Sequence, residues 1–115
     1  MIKIQERENL NLPKYSKQEI EAMAEVQELV NANSKKVFKV VEKCFKNQKI
    51  NNYQYYIFNT RHGFVTDGEK ASFSKIKSTL VGFSMEQVLE MYNSALKVIA
   101  NEISALNHVK FELTL

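Results

Sequence analysis

The sequence predicts an α+β fold dominated by helix, with two to four helices and a small antiparallel sheet made from the two termini and a central hairpin. Three observations predict it. Residues 84–106 place Met85, Leu89, Tyr92, Leu96, Ile99, Ile103 and Leu106 at alternating steps of four and three, the apolar seam of an amphipathic helix. Residues 50–66 contain the β-formers Tyr53, Tyr55, Tyr56, Ile57 and Phe58 ahead of a turn at Arg61-His62-Gly63, which reads as a hairpin. Residues 109–115 alternate Val109, Phe111, Leu113 and Leu115 with Lys110, Glu112 and Thr114, the period of a half-buried strand.

At the N-terminus Ile2 and Ile4 alternate with Lys3 and Gln5, a short strand that ends before Pro13. Ser16 followed by Glu19 has capping-box spacing, and Tyr15 stands where a hydrophobic staple onto Ile20 would start a helix. Met23, Val30, Val37 and Cys44 then recur every seven residues, so one face is apolar as far as about residue 48. The polar run Asn31-Ala32-Asn33-Ser34 offers a second cap and leaves two alternatives open, one long helix or two. After the hairpin, Thr66-Asp67-Gly68-Glu69 has capping spacing again and predicts a short helix over residues 69–81, closed by Gly82. Ser84 and Gln87 cap the last helix. Its seam suits either the core of the domain or a contact between two chains.

A chain of 115 residues is the size of one domain, and neither a repeat nor a linker divides it. With 44% hydrophobic and 25% charged residues it has the composition of an ordinary globular protein. The charged start of the chain lacks the apolar run of a signal peptide, and no apolar stretch approaches the ~20 residues of a membrane span. A cytoplasmic protein without a membrane partner is expected. The single cysteine, Cys44, excludes an intramolecular disulfide and lies on the apolar face, so it reads as a buried thiol rather than a nucleophile.

His62 and His108 are the only histidines, and neither has a second ligand at metal-binding spacing. His62 reads as a solvated turn residue rather than a general base. Phosphate-binding glycine loops and nucleophile elbows are missing from the sequence, and no cofactor, metal or catalytic residue is expected. The chain is not expected to be an enzyme.

Charge is the main clue to function. Residues 35–77 carry ten Lys or Arg against three acids, a balance of +7, whereas the rest of the chain is net −4. Eight of the twelve aromatic residues fall between Phe38 and Phe73, inside that basic region. The candidate contact surface is Lys35, Lys36, Lys39, Lys43, Lys46 and Lys49 with Tyr53, Tyr55, Tyr56 and Arg61. The expected function is a non-catalytic binding or regulatory module, homo-oligomeric or bound to a protein partner through this region. The alternative is nucleic-acid binding, with lysines on phosphates and tyrosines stacked on bases. The helix-turn-helix spacing over residues 70–106 supports that alternative weakly, because Glu86 and Glu90 open the would-be recognition helix where phosphates would lie.

Overall fold

The computed structural model describes residues 15–114, with side chains described over 15–106. These residues form five helices and no strand: α1 (Lys17–Ala32), α2 (Ser34–Lys46), α3 (Asn52–His62), α4 (Phe73–Thr79) and α5 (Met85–Thr114). The fold is a helical bundle, which corrects the α+β expectation. The hairpin of residues 50–66 is replaced by α3, and the C-terminal strand by the continuation of α5 to Thr114. The expected strand at Ile2 and Ile4 lies outside the described residues.

Local caps explain where the helices begin. The Ser16 hydroxyl accepts from the Glu19 amide at 3.1 Å while the Glu19 carboxylate accepts from the Ser16 amide at 2.9 Å, so two of the donors left orphaned at a helix start are satisfied reciprocally. Asn33 separates α1 from α2 and serves both. Its backbone N–H donates to the Leu29 carbonyl, closing α1, and its side chain accepts from the Lys36 amide, opening α2. The break at Asn33 settles the choice between one helix and two.

The same device overrides β-propensity in the middle of the chain. Asn51 and Gln54 form a full capping box, with distances of 2.7 and 2.9 Å, and Gly63 ends α3 in the left-handed region at φ 74°. The aromatic residues between them are therefore enrolled in a helix and spread over several of its faces. Residues 63–68 form a turn in which Gly68 N–H donates to the Gly63 carbonyl. The expected box at Thr66 does not form; the Thr66 hydroxyl donates to the Glu69 carbonyl instead, and α4 starts later, capped by Ser72 on the Lys75 amide. Gly82 lies at φ 96° in the turn leading to α5, and Ser84 and Gln87 cap that helix as expected.

The core is built on α5, which packs against all four other helices. From its seam Val88, Tyr92, Ala95, Leu96, Ile99, Ala100 and Ile103 are buried. The seven-residue repeat Met23, Val30, Val37, Cys44 is buried along its whole length although it crosses the break at Asn33. Ile57, Phe58 and Ile76 complete the interior from α3 and α4. Phe58 stacks on Tyr92 with ring centroids 5.7 Å apart and planes 15° from parallel.

The two glycines that end α3 and precede α5 differ in their surroundings. A Cβ at Gly63 would lie 2.7 Å from the Gly68 carbonyl carbon and 2.9 Å from its oxygen, whereas one at Gly82 would meet nothing within 4 Å. Gly82→Ala should therefore cost about 1 kcal/mol from its left-handed backbone alone. Gly63→Ala should cost at least twice as much, because the turn must also open. Urea denaturation of both variants checks this order, and equal losses would contradict it.

Candidate functional site

The exposed face of α2 is a lysine stripe. At 3.6 residues per turn, Lys35, Lys36, Lys39, Lys43 and Lys46 project within an arc of roughly 100°, opposite Val37, Val41 and Cys44 in the core. All five are exposed. Two of the predicted lysines are tied down: Glu102 of α5 accepts from Lys43 at 3.0 Å and from Lys49 at 2.8 Å, and these ammonium groups hold its carboxyl below the usual carboxylate range. Lys35, Lys36, Lys39 and Lys46 carry no ion pair among the described residues.

The aromatic half of the predicted surface is dispersed. Tyr55 is half-buried, stacked on Phe45 at 4.1 Å with its hydroxyl directed at the Glu42 carboxylate. Burial, and then the Glu42 charge, raise its pKa. Arg61 lies 4.3 Å over the Phe73 ring and donates to the Ala71 carbonyl at 3.1 Å. Tyr53 and Tyr56 are 48% and 38% exposed, but their partners are Phe83 and Thr79, at the α4 end of the molecule. The structure thus gathers the α2 lysines and does not join them to the tyrosines in one platform.

A second feature sits where α1, α3 and α5 meet. His62 is not a solvated turn residue: it occupies the last turn of α3, is half-buried against Phe58, and its Nε2 lies 2.8 Å from the Tyr92 hydroxyl. The Gln27 amide donates to that hydroxyl at 3.2 Å. If Tyr92 accepts from Gln27 and donates to Nε2, the hydroxyl and Nε2 are both satisfied with a neutral imidazole protonated at Nδ1. Desolvation, then the charges of Arg61 and Lys70, push the His62 pKa down to about 4. Around this relay is a cleft of about 320 Å³ lined by Gln27, Asn31, Arg61, His62, Lys70, Phe73 and Tyr92.

Gln27, Asn31, Lys70 and Tyr92 carry little signal in the sequence as members of one site. The first two are four residues apart at the margin of the α1 apolar stripe, a polar pair beside Met23 and Val30, and that spacing was their only signal. Tyr92 belongs to the α5 seam, but its hydroxyl faces the polar relay. Cys44 is a buried free thiol whose pKa is raised by burial and by Glu102, the opposite of what a nucleophile requires. Among the described residues no group of three or more His, Cys, Asp or Glu side chains is placed to hold a metal ion, and no helix is long and apolar enough to cross a membrane. Comparison with known protein families, with curated proteins and with solved structures finds no match.

The neutral His62 sets a pH dependence. Its folded pKa lies below its ordinary value of 6.5, so at intermediate pH the unfolded chain binds the proton more readily. Stability should fall as pH drops from 6.5 towards 4, with the part above pH 4.5 preceding titration of the ion-paired Glu19 and Glu102, both held below their ordinary 4.5. His62→Gln should flatten the curve between pH 6.5 and 4.5. Thermal denaturation across that window measures it, and an unchanged slope would contradict the assignment.

Proposed function

We propose that this chain is a non-catalytic binding module that docks on acidic macromolecular surfaces through the lysine face of α2, a second copy of the chain included. The observation that carries the reading is the stripe itself. Lys35, Lys36, Lys39 and Lys46 are exposed on a helix whose opposite face is locked in the core, and no carboxylate among the described residues pairs with them. A fixed row of like charges raises the local potential and steers an oppositely charged partner into register.

The chain also carries the complementary surface. Glu21, Glu25 and Glu28 are exposed on α1 within an arc of roughly 60°. Basic and acidic stripes on consecutive helices support self-association, since a two-fold pair would use the contact twice. Each exposed ion pair contributes at most about 1 kcal/mol, so such a complex is weak and salt-sensitive. Base stacking receives less support, because Tyr55 and Arg61 spend their faces on Phe45 and Phe73.

Light scattering at rising protein concentration and two salt levels tests the proposal. Wild-type protein should associate at low salt and dissociate at high salt. The triple variant Lys36→Glu, Lys39→Glu, Lys46→Glu should stay monomeric, and mixing it with Glu21→Lys, Glu25→Lys, Glu28→Lys should restore a heteromeric species. A wild-type chain that is monomeric throughout and is not retained on poly-glutamate would overturn the reading. Salt-dependent retention on oligonucleotides in preference to poly-glutamate would transfer the lysine face to nucleic acid.

A further inference from the structure

We propose that the cleft between α1, α3 and α5 binds the phosphate group of a small phosphomonoester. Two cations, Arg61 and Lys70, line it, and none of its lining residues is acidic. Both are held by neutral partners: Arg61 by the Ala71 carbonyl and the Phe73 ring, Lys70 by the Asn31 side-chain oxygen at 2.9 Å. These contacts fix the positions of the cations, and no carboxylate among the described residues pairs with either. Arg61 is half-buried and Lys70 is exposed at the rim; two cations lining one cleft without a counter-charge repel each other, and an anion between them removes that cost.

The donors favour phosphate over carboxylate. A phosphomonoester carries a charge of about −1.5 to −2 at neutral pH and three acceptor oxygens, and the guanidinium fork and the ammonium together match both. The neutral His62 and the Gln27 and Asn31 amides add donors that carry no charge. At about 320 Å³ the cleft is at the lower end of the range for small-ligand sites. It shares Asn31, His62 and Lys70 with an adjoining cleft of about 380 Å³, whose wall includes Phe38 and Phe64, packed edge to face at 5.4 Å. The first cleft takes the phosphate and the second the apolar body of the ligand.

An NMR titration at constant ionic strength tests this, with phenyl phosphate, inorganic phosphate and acetate as probes. Both phosphates should give saturable shifts of the His62 ring and Tyr92, with phenyl phosphate binding more tightly. The bound anion should also raise the His62 titration midpoint from about 4. Lys70→Met, at an exposed position, should weaken phenyl phosphate about tenfold or more, as should Arg61→Gln, while Lys77→Met on the outer side of α4 should have no effect. Shifts confined to the α2 lysines, equal binding of acetate, or an unmoved His62 midpoint would each overturn the proposal. Lys35 lines the second cleft as well as the α2 stripe, so the docking role of α2 is read separately, by light scattering with the variant at Lys36, Lys39 and Lys46, which lie outside both clefts.

Discussion

Helices of seven to sixteen residues are marginal in water, because the cost of nucleating each one is spread over few hydrogen bonds. Here α1 to α4 all fall in that range, and what makes them stable is removal of the α5 seam from water. Burial of Val88, Tyr92, Leu96, Ile99 and Ile103 gives each shorter helix an apolar surface to complete. The seam is long enough to seat the others side by side and end to end, so α1 and α2 can share one apolar repeat across the break at Asn33.

Both candidate sites follow from that arrangement. Glu102 of α5 binds Lys43 and Lys49, which anchors the C-terminal end of α2 and the turn after it. The remaining α2 lysines are then directed away from the core by the burial of Val37, Val41 and Cys44. Further toward the N-terminus of α5, Tyr92 presents one ring to the aromatic cluster and its hydroxyl to Gln27 and His62. A single residue of the seam is thus both a core element and the floor of the polar cleft.

Much of this was legible wherever a helix announced its ends. The pairs Ser16 with Glu19 and Ser84 with Gln87, the seven-residue repeat and the α5 seam can all be read in the residues, because capping and apolar spacing are local signals. The Asn51–Gln54 box is equally local, but it stands directly ahead of a run of β-formers. Residues 53–58 carry apolar groups to several sides of α3, against α2, α4 and α5, so no helical stripe betrays them. At the other end, the alternation of residues 109–114 has the period of a strand. After Gly82, however, neither glycine nor proline follows to stop the helix, and α5 runs on to Thr114. The lysine stripe was legible as charge, whereas the cleft was not, since it joins α1, α3, α5 and the turn before α4 from residues as far apart as Gln27 and Tyr92.

Residue-resolved amide hydrogen exchange tests most directly the claim that the seam of α5 organises the whole chain. The amides of α3 and of residues 88–103 should share the slowest rates, those of global unfolding, with α4 and the turn at residues 63–68 exchanging faster. If α3 exchanges rapidly while residues 88–103 stay protected, the seam does not hold the bundle together and the account fails.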